Sequence, residues 1–361
     1  MKTFNEIFED RTKIGTKVKT DEYHEKGAYL IIDQGKNLVA GYTDMKDGLF
    51  EDVPAIIFGD HTRVIKYVEE PFFLGADGVK VLRSKYDDAN YKYLYYALKN
   101  VKIPDTGYNR HFKWLKEVKI NYPDIKRQEE IVSVLDKVSL IIENRNEELK
   151  YLDTLIKSRF VEMFGNLKSN SKGWDIKTFD ELAYFITDGE HATPRRVPEG
   201  IYLLSARNVL NHSIQLDDVD YIDQEEYDRI AKRVIPQEGD VLISCSGTVG
   251  RCCSVPVGMK FQMVRSVALL RFKEDINPVF AEYMITSDYL QEQINSSKTV
   301  SSQANLFQGK IKALKGFVPP KGLQDEFLNF VHHVDKSKLQ IQKSLDETQL
   351  LFDSLMQKYF G

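Results

Sequence analysis

Two long stretches of the chain carry apolar residues in alternating steps of four and three. From Ile131 the series continues through Leu135, Val138, Ile142, Arg145, Leu149, Leu152 and Ile156. From Phe327 it continues through Val331, Val334, Lys338, Ile341, Leu345, Thr348 and Phe352. A repeat of 3.5 residues predicts helices whose apolar stripe needs a partner helix, and each stretch is the nearest partner for the other. One constant shift carries Gln128 onto Gln324, Pro123 onto Pro319, Val138 onto Val334, Leu149 onto Leu345, Leu155 onto Leu351 and Phe164-Gly165 onto Phe360-Gly361. The helix is therefore duplicated. The polar interruptions do not coincide (Arg145 in one copy, Lys338 and Thr348 in the other), and such breaks set register and partner at some cost in stability. Pro123 and Pro319 stand upstream, where a helix interior is excluded. Gly165 is placed to cap the first copy. A helix from about Lys126 to Phe164 would be on the order of 55 Å long at about 1.5 Å per residue.

Between these stretches the pattern changes to short apolar runs separated by Gly, Asp and Pro turns. Tyr29 to Ile32, Val53 to Phe58, Arg63 to Tyr67 and Gly78 to Leu82 read as strands, followed by a helix from about Asn90 to Lys99. The second half repeats the theme with strands near Tyr202 to Ser205, Val241 to Cys245 and Val267 to Phe272. Helices follow at about Val279 to Ser287 and Leu290 to Ile294. The opening Lys2-Thr3-Phe4-Asn5-Glu6-Ile7 reappears as Lys177-Thr178-Phe179-Asp180-Glu181-Leu182, so the duplication includes the start of a domain. The shift is smaller here than along the helices, so the second unit carries insertions. The expected fold is α+β: two related units with mostly β cores, joined by two long helices whose apolar stripes pair with each other. The polar stretch from Gly165 to Gly173 reads as the linker into the second unit.

Composition fits this picture. At 361 residues, 42% hydrophobic and 29% charged, two soluble globular domains are expected. The opening residues lack a charged segment followed by an apolar run, and no run reaches the length of a membrane span, so no membrane partner is expected. Cys245, Cys252 and Cys253 have no zinc spacing or disulfide logic, which points to a reducing, cytoplasmic setting. The net charge of −4 argues against binding nucleic acid by bulk attraction but leaves room for local basic faces.

No catalytic signature stands out. There is no phosphate loop ending in Gly-Lys-Ser/Thr. Asn121-Tyr122-Pro123-Asp124 has the wrong order for the Asn-Pro-Pro-aromatic run of amino-methyltransferases, and its duplicate Val318-Pro319-Pro320-Lys321 has no Asn. Gly247-Thr248-Val249-Gly250 reads as a hairpin turn. Polar loops are the better candidates, because Arg, Lys, Asn and Gln pair with base edges while Ser, Thr and backbone amides suit phosphates. In the first unit they offer Lys17, Lys19, Gln34, His61, Thr62, Arg63 and Arg110. In the second they offer His191, Thr193, Arg195, Arg196, Arg207, Asn208, Ser246, Thr248, Arg251, Gln303 and Asn305.

With this two-fold frame, the chain resembles the specificity (S) subunits of type I restriction–modification systems. The resemblance covers essentially the whole chain. In the first unit it rests on Gly59-Asp60-His61-Thr62-Arg63 and Gly75-Ala76-Asp77-Gly78-Val79. In the second it rests on Asp188-Gly189-Glu190-His191, Gly239-Asp240-Val241-Leu242, Ser246-Gly247-Thr248-Val249-Gly250 and the run from Gln303-Ala304-Asn305-Leu306 through Gly309-Lys310-Ile311 to Pro319-Pro320. The second helix opens Gly322-Leu323-Gln324-Asp325-Glu326, where the first has the more usual Lys126-Arg127-Gln128-Glu129-Glu130. The resemblance implies target recognition domains over residues 1–124 and 166–318, and spacer helices over 125–165 and 319–361. Each domain would read one half of a bipartite, asymmetric site in double-stranded DNA. The two long helices would form an antiparallel intramolecular coiled coil that sets the spacer and docks two methyltransferase (M) subunits and, through them, restriction (R) subunits. No catalytic residue, metal or cofactor is implied for this chain, since the methyl donor and the flipped base belong to the M subunit. Two other readings stay open on the residues alone: a DNA methyltransferase with degenerate motifs, and a coiled-coil scaffold that does not bind DNA.

Overall fold

A computed structural model describes residues 1–75, 77–107, 109–297 and 305–361. It divides into two compact units, residues 1–147 with 342–361, and residues 148–341. In the first unit a four-stranded sheet has the order Phe8–Asp10, Val79–Ser84, Ala55–Gly59, Ile65–Val68. A three-stranded sheet has the order Gly41–Thr43, Tyr29–Ile32, Phe72–Leu74, and its last pair is parallel.

The second unit repeats both sheets. The four-stranded one runs Ala183–Asp188, Val267–Phe272, Val241–Ser244, Cys252–Ser254. The three-stranded one runs Asp220–Ile222, Ile201–Leu204, Phe261–Met263, again with a parallel last pair. The interior strands read as unbroken apolar runs because both of their faces are covered. Ala55–Gly59 and Val241–Ser244 are buried at every position. The extra length of the second unit includes the hairpin Val209–Leu210/Ser213–Ile214 and the helix Gln224–Ala231, neither of which has a counterpart between the matching strands of the first unit. Period-two reading missed the three-residue strands, such as Phe72–Leu74 and Phe261–Met263, because three buried residues show no alternation.

The duplicated sequence marks correspond to duplicated joints. At each domain start a threonine caps a one-turn helix through a reciprocal box. Thr3 N–H and Oγ1 both donate to Glu6 at 2.6 Å, and Thr178 N–H and Oγ1 both donate to Glu181 at 2.7 Å. The strand leading in, Lys2–Thr3 or Asp175–Thr178, pairs antiparallel with the strand that leaves the unit, Lys119–Ile120 or Lys315–Val318.

Gln128 and Gln324 are almost completely buried, and each fastens the start of a long helix. Gln128 donates to Pro123 O at 2.9 Å and accepts from Asn90 N–H at 3.4 Å. Gln324 donates to Pro319 O and Asp275 O and accepts from Asn277 N–H, all at 2.8 Å. Asn90 and Asn277 are themselves the N-caps of the helices Tyr91–Lys99 and Pro278–Thr286. A buried polar group is retained at both joints because each amide satisfies backbone groups that would otherwise be orphaned.

The long helices are Ile125–Phe164 and Lys321–Phe360, forty residues each. They pack antiparallel along the expected seam. In the first unit Ile131, Val132 and Leu135 share a core with Met356, flanked by Phe352, Leu355 and Phe360. In the second, Ile156, Phe160 and Phe164 share a core with Phe327, Val331 and Val334, and the Phe160 and Phe327 rings meet edge-on with centroids 5.4 Å apart. Every seam position is buried or half-buried, whereas Leu140, Ile141, Leu155, Leu339, Leu350 and Leu351 lie off the seam and are exposed. The polar break at Lys338 has a purpose, since its ammonium reaches Asp153 of the opposing helix at 2.7 Å. Gly165 ends the first helix at φ +78°, the left-handed C-cap geometry that favours glycine.

Candidate nucleic-acid interface

In both units one set of polar loops gathers at the same end of the four-stranded sheet, and backbone bonds fix the correspondence. In the first unit Asp60 N–H donates to Gly78 O (2.7 Å) and His111 N–H to Asp60 O (2.8 Å). In the second, Cys245 N–H donates to Ser266 O (2.8 Å) and Leu306 N–H to Cys245 O (2.9 Å). Strand register agrees, because Gly59 pairs with Val79 where Ser244 pairs with Val267. His61 therefore corresponds to Ser246, Asp77 to Arg265, and Arg110 to Asn305.

Six of the first-unit candidates converge at this end. Gln34 accepts from His61 N–H at 3.2 Å and donates to Asp77 O at 3.1 Å, while Thr62 donates to Gln34 O at 2.6 Å. His61 Nδ1 meets Asn109 O at 3.2 Å. Lys17 pairs with Asp77 at 2.6 Å, and this hydrogen bond holds the Asp77 carboxyl below the usual range. Arg110 is exposed, and its charge acts on Asp77 in the same direction. Arg63 has φ +61°, uncommon for a residue with a side chain, and is anchored to Asp105 at 2.7 Å. The Gly107 N–H bond first, and then Arg63, keep Asp105 acidic. Lys19 is not part of this cluster; it is exposed at the start of the short turn Thr20–Glu22.

The second-unit candidates divide into two groups. His191, Ser246 and Asn305 line one cavity of about 350 Å³. Ser246 and Asn305 form an antiparallel β-bridge, and His191 Nε2 meets Asp188 at 2.7 Å. Thr248 is exposed on the neighbouring turn, and its carbonyl accepts from Ser244 Oγ at 2.7 Å. Arg251 is half-buried and donates to Ala206 O at 2.6 Å.

The other group surrounds the strand Asp220–Ile222 and the helix that follows it. Arg195 bonds Asp223 and Glu225 at 2.8 Å, Arg196 bonds Asp220 at 2.9 Å, and Arg207 bonds Asp220 at 3.1 Å. Burial pulls Asp220 upward, but Arg196 and Arg207 together hold it below its ordinary value. Thr193 is exposed on the loop leading to these arginines. Asn208 is buried and fully engaged, donating to Gln215 O and Asp218 O and accepting from Ser205 N–H, so its amide shapes the loop and has no donor left for a base. Gln303 lies outside the described residues.

Pattern reading passed over Arg265 and Phe307, which also line the cavity. The signal was present: a polar turn between the apolar strands Phe261–Met263 and Val267–Phe272. The cysteines belong to the core. Burial pushes the Cys245 thiol up to about 12 and raises those of Cys252 and Cys253 as well. Among the described residues no cluster of three His, Cys, Asp or Glu is placed to hold a metal ion, and no helix is long and apolar enough to cross a membrane.

Comparison with known proteins fits this doubled architecture. The family model for the type I restriction modification DNA specificity domain matches residues 1–151 and again residues 199–348. The chain belongs to this family. A curated relative, the type I restriction enzyme EcoR124I/EcoR124II specificity subunit of Escherichia coli, is 28% identical over 145 residues. That alignment covers 37% of this chain and 36% of the relative, so it spans about a third of each. The crystal structure of a type I restriction-modification system S subunit from M. genitalium aligns over 100% of this chain and 95% of its own, with a TM-score of 0.59 at 18% identity. A structure described as the basis of complex assembly and conformational transition of the type I R-M system aligns over 99% and 95%, with a TM-score of 0.55 at 15% identity. At these identities the likeness concerns the fold.

Proposed function

We propose that this chain is the non-catalytic, sequence-reading subunit of a type I restriction–modification complex. Residues 1–124 and 166–318 act as two recognition domains, each addressing one half of a bipartite site in double-stranded DNA. The helices 125–165 and 319–361 set the gap between the halves and carry the docking surfaces for two methyltransferase subunits, through which restriction subunits join. One observation carries the reading: both units present loops from the same end of the same sheet, with backbone geometry retained and side chains exchanged. A catalytic duplicate would keep its reactive groups, whereas a pair of readers must differ if the two half-sites differ. The helices suit a spacer, since about 60 Å of helix exceeds the 34–36 Å of one duplex turn. The exposed Leu140, Ile141, Leu155, Leu350 and Leu351 give them apolar surface beyond the seam. The many arginine–carboxylate pairs around the loops hold guanidinium groups in fixed directions, from which they can exchange a carboxylate for a phosphate or a base edge.

The test is selection from randomised duplexes by the full chain, purified with whatever subunits accompany it. Two short conserved blocks separated by a constant gap are expected. A single continuous block, or no enrichment, contradicts the proposal.

A further inference from the structure

The second unit contains nine arginines. Seven of them are held in ion pairs: Arg159, Arg195, Arg196, Arg207, Arg229, Arg233 and Arg271. Arg251 donates to a backbone carbonyl. Arg265 differs. Its backbone is fixed, with its N–H donating to Glu190 O at 3.0 Å, but among the described residues its exposed guanidinium meets no carboxylate or carbonyl. It stands on the wall of the 350 Å³ cavity, beside Ser246, Asn305 and the exposed ring of Phe307. A turn held by its backbone that carries a guanidinium with none of its five donors spent among the described residues, lining a polar cavity beside an aromatic ring, is equipped to recognise a planar acceptor edge.

The first unit sharpens the assignment. The matching position there is Asp77, an acceptor. Donor and acceptor have changed places on a conserved backbone, as expected if the position selects between bases presenting opposite edges.

We infer that Arg265 is a specificity-determining residue that offers its guanidinium bidentately to the O6 and N7 acceptors of a guanine in the half-site addressed by the second unit. This rests on the DNA-reading function proposed above. The test repeats the randomised-duplex selection with wild type, Arg265→Ala and Arg265→Lys. Wild type is expected to enrich guanine at one position of one block. Arg265→Ala is expected to lose that preference by about 10- to 100-fold at that position alone, with the other block unchanged. Arg265→Lys keeps the charge but loses the planar fork, and is expected to restore the preference only in part.

A loss spread evenly over all sequences and rescued by Lys overturns the inference in favour of a phosphate contact. An unchanged motif in Arg265→Ala overturns it outright. Failure of wild type to enrich any motif removes the DNA-reading function itself, and so is distinguishable from failure of Arg265. Because Arg265 is exposed and its described contacts are backbone ones, both variants are expected to keep the wild-type circular dichroism spectrum, which serves as the folding control.

Discussion

The turn that ends at Gly78 and the turn that ends at Ser266 occupy the same place in two copies of one sheet. The amide of Asp60 closes the first at 2.7 Å and the amide of Cys245 closes the second at 2.8 Å. Yet the residue before the closing carbonyl is Asp77 in one and Arg265 in the other, and the first is paired with Lys17 while the second makes no ion pair among the described residues, although Asp188 lines the same cavity. Backbone bonds and register are bound to the core, so they resist change. At the rim Asp77 is tied only to Lys17, another exposed side chain, so this position can change sign without disturbing the core. Frame and content therefore separate within each unit, which is what a reader of variable text needs.

The frame is open to a comparative test at its joints. Replacing Gln324 with Ala strips partners from two carbonyls and one amide in a closed site, and a loss of about 2–4 kcal/mol from the second unit is expected. Gln128→Ala removes one good bond and one long one, and about 1–2 kcal/mol is expected from the first unit. Hydrogen exchange read separately in each unit measures both; equal losses, or the reverse order, would contradict the joint geometry. The capping boxes give a smaller, matched pair. Thr3→Ala and Thr178→Ala should each cost about 1 kcal/mol. The bonds to the glutamate agree within 0.1 Å, but Thr178 Oγ1 also accepts from Glu181 N–H at 3.3 Å where Thr3 has no such bond, so a larger loss in Thr3→Ala than in Thr178→Ala would contradict the cap geometry.

Much of this frame was legible in the chain. The heptads revealed the long helices and the seam, because a 3.5-residue stripe has few ways to be buried, whereas the antiparallel direction came from the family resemblance. The matched Gln128 and Gln324, and the matched Thr3 and Thr178, were visible as repeats before their bonds were known. The polar loop face was less legible. Loop composition identified Gln34, His61 and Thr62 as a group, but it could not separate Asn208, whose amide is spent within its own loop, from a residue free to meet a base. Nor could it find Arg265, because one charge between two apolar strands looks like any turn. What distinguishes these two residues is burial and partner choice, which depend on strands distant in sequence. Between Asp188 and Val241 the strand Ile201–Leu204 was legible, but Val209–Leu210, Ser213–Ile214 and Asp220–Ile222 were not, because two or three residues show no alternation.

The central claim is that one head addresses one half of the site. It is tested most directly by replacing residues 1–124 with the equivalent segment of a relative and determining the selected DNA motif of the hybrid. One block of the motif should change while the other block and the gap persist. A hybrid that folds and yet changes both blocks, or neither, would contradict it.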